Sequence, residues 1–241
     1  MKKFLIMLAL LFALPITGNA LEFEEISKEE KYFKTTIYES NLTRSSSNYA
    51  ITEEITQEEY EAFNPNVMPL ASTSTITTYK KLTTYLLTNG NYYRYKATLE
   101  WRNIPKVRSY DTIGIGHYSS VIIRGSTHFS QTYCPVDDDC RTISSYYEKI
   151  TDTGSAATFK VPSGDLESLE QTFYFDVEKR NPSSTVIAQK ASGDYSHAIR
   201  SVTTTQARNF NISNAGIQYD SSVLDYFDEI SQASVTWSGT W

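Results

Sequence analysis

Asp111 and the three histidines, His117, His128 and His197, are the side chains of this 241-residue chain that invite a chemical reading. In Arg108-Ser109-Tyr110-Asp111-Thr112-Ile113-Gly114-Ile115, strict alternation puts Asp111 on the face of Ile113 and Ile115. A carboxylate on an apolar face must be paired, because an isolated buried charge is costly. Arg102 and Arg108 are the obvious partners, so a structural ion pair is expected. A catalytic acid or base with a displaced pKa is the functional alternative, with Asp111 and His197 as its candidates.

No two histidines share a metal-ligand spacing such as His-x-x-x-His, so each is expected to be structural. The run Asp137-Asp138-Asp139 offers carboxylates of the kind that hold Ca²⁺. It lacks the Asp-x-Asp-x-Asp-Gly order and reads as a solvated acidic turn. No Gly-x-Ser-x-Gly turn marks a nucleophile, and no Gly-rich loop is shaped for phosphate. No cofactor is expected.

Cys134 and Cys140 are the two cysteines. In an exported protein such a close pair forms a disulfide. Export is expected from the N-terminus. Met1-Lys2-Lys3 is basic, Phe4 to Pro15 is apolar, and Thr17-Gly18-Asn19-Ala20 places small residues before a cleavage site. The apolar run falls short of the roughly 20 residues of a membrane span. Leu14-Pro15-Ile16-Thr17-Gly18 matches a cell-wall sorting motif, but it lies within this leader and reads as coincidence. The expected location is secreted, with no stable membrane insertion.

The elements that would position these residues are strands. After Thr88-Asn89-Gly90-Asn91, a hairpin signal, Tyr93, Tyr95, Ala97, Leu99 and Trp101 alternate with polar residues. Residues 171–178 repeat the pattern, with Phe173, Phe175 and Val177 inward. Further strands are expected over residues 109–115, 119–124, 127–133, 142–150, 157–161, 185–189, 196–203, 209–212 and 235–237. Ser192-Gly193-Asp194 is read as a turn, and residues 223–231 as a helix. Many short strands with frequent turns imply an all-β fold. An antiparallel β-sandwich is expected, with a jelly roll or barrel as the alternative.

Residues 21–72 differ, being rich in Glu, and are expected to form a short, partly helical acidic extension or linker. Thr56-x-x-Glu59 has the form of a capping box opening a helix through Phe63. The expected organisation is therefore a leader over 1–20, the extension over 21–72 and a β domain over 73–241. Loss of Lys2 and Lys3 with the leader leaves 20 basic against 28 acidic residues, a net −8. Such a charge argues against general phosphate-backbone binding, and no nucleic-acid partner is expected. Asn41-Leu42-Thr43 and Asn211-Ile212-Ser213 are glycosylation sequons.

Trp101-Arg102-Asn103-Ile104-Pro105-Lys106-Val107-Arg108-Ser109-Tyr110-Asp111 resembles a stretch shared by uncharacterised secreted proteins of Gram-positive bacteria. That stretch is a Trp, a short gap and then Pro-Lys-x-Arg-Ser-Tyr-Asp. Tyr79-Lys80-Lys81-Leu82-Thr83, Tyr195-Ser196-His197-Ala198 and Phe210-Asn211-Ile212-Ser213 are similar to other pieces of that group. The resemblance covers roughly residues 75–241 and brings no activity with it. It implies a secreted bacterial β domain, and draws attention to Trp101 and Arg108 as ligand-binding candidates beside Asp111 and His197.

The favoured reading is a secreted, non-catalytic β domain at or near the cell envelope. It would bind a glycan, a wall component or an extracellular protein through exposed Tyr and Trp. An extracellular hydrolase is one alternative. A membrane-active, pore-forming-like protein is another, with residues 72–84 as a hairpin strand whose Lys80 and Lys81 put charge on both faces.

Overall fold

The computed structural model describes residues 22–38, 49–63, 75–183 and 185–239. The expected leader, the Asn41 sequon and residues 64–74 lie outside these residues.

The Asn89-Gly90 turn forms as expected, with Gly90 at φ +85°, and joins β3 (Thr75–Thr88) to β4 (Tyr93–Asn103). These two strands centre a large antiparallel sheet. β1 (Glu24–Tyr38) and β2 (Tyr49–Ile55) extend it on one side, in the order β2-β1-β3-β4. On the other side β4 pairs with β11 (Leu166–Lys179), which is followed by β7 (His128–Pro135) and β8 (Arg141–Ile143). The short β6 (Ser120–Ile122) also pairs with β11. The second sheet runs β15 (Ser231–Ser238), β12 (Ala188–Ser196), β5 (Tyr110–His117), β10 (Gly154–Lys160) and β9 (Tyr147–Thr151). A small hairpin of β13 (Phe210–Ser213) and β14 (Gly216–Tyr219) pairs with neither sheet but packs on the second.

The alternation in β4 and β11 has the expected outcome: Tyr93, Tyr95, Ala97, Leu99 and Trp101, and likewise Phe173, Phe175 and Val177, point into the core. Facing them from the second sheet are Ile113, Ile115, Phe159, Ala191, Tyr195 and Val235. The two sheets therefore share one apolar core, and both run as open paths of strands rather than closing into a ring. β5 is buried on both faces. Its Gly114 and Gly116 make room for the small hairpin: a Cβ on Gly116 would lie 2.2 Å from the Ser213 carbonyl oxygen.

Three expectations are corrected. The acidic segment supplies two strands of the large sheet, with β1 paired along β3 from Glu24–Thr88 to Tyr38–Thr75. The glutamates of β1 stay at or near the surface while Phe33, Thr35 and Ile37 turn inward. The capping box there is real: Thr56 and Glu59 bond reciprocally at 3.1 and 3.0 Å, opening α1 (Gln57–Ala62). Ser192-Gly193-Asp194 is the middle of β12, not a turn. Residues 223–231 hold only a 3-10 turn, Leu224–Tyr226, before β15 begins. A four-residue helix, α2 (Thr204–Ala207), precedes β13.

Candidate functional site

Alternation along β5 and β3 brings ionisable side chains of both sheets into the core. Asp111 enters from β5, on the face of Ile113 and Ile115, and has no exposed surface. Lys80 enters from β3, in step with Leu82 and Leu86, and is equally buried. Tyr195 is the last residue but one of β12, and His197 follows the strand. Asp228 comes from the segment between the 3-10 turn and β15.

Asp111 is saturated with donors. The Tyr195 hydroxyl donates to Oδ2. The ring Nδ1–H of His197 reaches the two carboxylate oxygens at 3.0 and 2.9 Å. The Ala198 amide donates to Oδ1 at 3.0 Å. A carboxylate can only accept, so this contact places the ring proton on Nδ1. His197 Nε2 has no hydrogen-bond partner among the described residues. Burial, and next the Asp111 charge, push the Tyr195 hydroxyl well above its ordinary pKa, so it stays a donor.

Asp228 is held beside this group. Lys80 Nζ donates to its Oδ2, and the His197 amide donates to its Oδ1 at 2.7 Å. The Thr35 and Ser196 hydroxyls stand at 3.5 Å from Oδ2 and Oδ1 respectively. The amides of His197 and Ala198 are thus clamped between two carboxylates. Lys80 Nζ also lies 5.6 Å from the Trp101 ring centre and 5.3 Å from that of Tyr195. Trp101 packs edge-on against Tyr195 and His197.

Asp111 is therefore paired, as expected, but with His197 and Tyr195 rather than with Arg102 or Arg108. Arg102 instead donates to the carbonyl oxygens of Glu61 and Phe63, fastening α1 to the large sheet. Arg108 lines a surface groove with Lys106, Asp165 and Glu167, and senses the Asp111 charge at longer range. Trp101 is a core residue with 6% exposure. Lys80, Tyr195 and Asp228 were not singled out by sequence. Lys80 was hidden by its neighbour Lys81, which pairs outside with Glu100 at 2.7 Å. Asp228 was hidden in a segment that read as helix.

The other histidines offer less. His117 Nδ1 meets Ser120 Oγ at 2.9 Å in the core. Burial, aided by the Arg180 charge, lowers its pKa to about 4, so the ring is neutral. Among the described residues, no carboxylate bonds to its ring. His128 stacks on Tyr174 at the surface. Cys134 and Cys140 form a disulfide. Within that loop Asp138 pairs with Arg141 and caps the Asp139 amide. Among the described residues, no group of three or more His, Cys, Asp or Glu side chains is placed to hold a metal. No described helix is long and apolar enough to cross a membrane.

No family model and no curated protein matches the chain. Among solved structures it is similar to the collagen-binding domain of the Erysipelothrix rhusiopathiae surface protein RspB. Identity is 11% and the TM-score 0.32, over 86% of this chain. The chain spans only 59% of that one. It is also similar to AvmM, which catalyses macrocyclization in alchivemycin A biosynthesis. Here identity is 9% and the TM-score 0.27, over 60% of this chain and 80% of that one. Likeness at this level establishes neither a shared fold nor a shared activity.

Proposed function

We propose that this chain is an exported, non-catalytic β-sandwich that acts at or near the cell envelope by binding a protein or a wall glycan. The observation that carries this reading is the sealing of the charged constellation. Asp111, His197 and Tyr195 have no exposed surface. A substrate would have to part the two sheets to reach them, which disfavours a hydrolase built on Asp111 and His197. What the molecule offers to partners is therefore its surface.

One surface feature suits recognition. A cleft of about 410 Å³ opens between β2 and the 3-10 turn, lined by Tyr49, Ala50, Ile199, Arg200 and Leu224 among others. Tyr49 is 56% exposed and Leu224 53% exposed. The Tyr49 ring stacks on Tyr38 at 4.8 Å, and the Arg200 guanidinium lies 4.4 Å from the Tyr226 ring centre. Aromatic and arginine side chains of this kind supply most of the energy of recognition surfaces. The disulfide supports an oxidising compartment.

Co-sedimentation of the purified protein with isolated bacterial cell walls tests the reading. Saturable pelleting that survives moderate salt is expected. Replacing both Tyr49 and Leu224 by Ala should weaken it by about tenfold or more, the effect of losing roughly 1.4 kcal/mol. Protein left wholly in the supernatant would sink wall binding as the main role.

A further inference from the structure

We propose that Lys80 and Asp228 react with one another to form an intramolecular amide bond that joins the two sheets. The reading rests on the environment of the pair and goes beyond the binding role. Both side chains are sealed from water. The ammonium group has three protons, yet among the described residues its one hydrogen-bond acceptor is the carboxylate oxygen facing it, and rings of Trp101 and Tyr195 stand nearby. Removing two charges from water costs more than an ion pair of limited hydrogen bonding readily returns. Amide formation removes both charges at once.

The atoms for the reaction are in place. Transfer of one ammonium proton to Asp228 Oδ2 turns the ion pair into a neutral amine facing a neutral acid, the form that a dry, low-dielectric site favours. Lys80 Nζ then attacks Asp228 Cγ. Negative charge develops on Oδ1, which already accepts the His197 amide at 2.7 Å and has Ser196 Oγ at 3.5 Å. A fixed backbone N–H aimed at the oxygen that gains charge is the arrangement that stabilises such an intermediate. The Cγ–Oδ2 bond breaks, and Oδ2 leaves as water with two of the three ammonium protons; the third remains on the amide nitrogen. No oxidant, reductant or further reactant is required. Asp228 also belongs to the residues lining the cleft of Tyr49 and Leu224, so solvent lies close to the reacting pair. Holding the reacting groups in contact supplies the proximity that makes an unactivated carboxyl reactive.

Mass spectrometry of the full chain, denatured and with its disulfide reduced, tests the bond. The protein should be lighter than its sequence by one water. Proteolysis should yield a branched peptide joining the segment around Lys80 to the segment around Asp228. Lys80→Arg should restore the full mass and the two linear peptides. If the wild-type chain has its full sequence mass, and Lys80 and Asp228 are recovered in separate linear peptides, the proposal is overturned. The wild-type measurement decides alone should the variant fail to fold. A second comparison reads the same question in the folded state, using the double variant Lys80→Met/Asp228→Leu. If it melts well below the wild type, a covalent tie has been lost. If it melts at or above the wild type, the pair was an ordinary buried ion pair and the bond is absent.

Discussion

Asp194, a carboxyl in the middle of β12, gives the protein a built-in response to pH. Burial raises its pKa to about 7, against the opposing pull of Gln232, the Ile217 amide and Ser192. The folded state thus holds this proton more tightly than the unfolded chain does, so ionisation works against folding. The stabilising contribution of the protonated form is complete below about pH 4 and is lost as the pH rises through 7. Asp194→Asn, which cannot ionise, should gain on the wild type by about 1.4 kcal/mol per pH unit across that window. Urea denaturation of both proteins at several pH values measures it; a constant difference would show that Asp194 does not titrate there. Residue-scale chemistry was only half legible in the sequence. Alternation alone placed Asp111 inside. Its partner was out of reach, because His197 is 86 positions away and only the pairing of β5 with β12 brings them together.

At the scale of elements, β12 shows why a strand can read as a turn. Ser-Gly-Asp is turn-like in composition, but Gly193 is present because the two sheets come close at that point. A Cβ there would lie 2.2 Å from Thr84 Oγ1 and 3.1 Å from Ala97 Cβ, both on the opposite sheet. Gly193→Val should therefore cost about 1–3 kcal/mol through overpacking. The check is thermal unfolding, where a loss of that size lowers Tm by several degrees; an unchanged Tm would mean that the sheets separate easily there. The strands with clean alternation, β4 and β11, were legible because each has one wet and one dry face. β5 and β12 were harder because they are covered on both sides, so the polar positions that mark the period are missing. β1 is hard to read for the opposite reason: its outer glutamates dominate the composition, while Phe33, Thr35 and Ile37 carry the pattern.

At the scale of the whole molecule, the large sheet carries the N-terminal strands and the second sheet ends with β15, so the core is assembled from both ends of the chain. Lys80 lies in β3, the neighbour of β1, and Asp228 lies just before β15. Their separation of 148 positions encloses most of the fold. A covalent tie over so long a loop would stabilise by roughly 5 kcal/mol through restriction of the unfolded chain. The position of the pair has a mechanical consequence too. A pull applied at the two ends of the chain would enter through β1 and β3, cross at Lys80–Asp228 and leave through β15. The polypeptide between them would hang outside the path of tension. Stretched in a single-molecule experiment, the bonded protein should extend by roughly 500 Å less than its length implies, at about 3.4 Å for each bypassed residue. Lys80→Arg should release that hidden length, and the molecule would then behave as a spring where before it behaved as a strut.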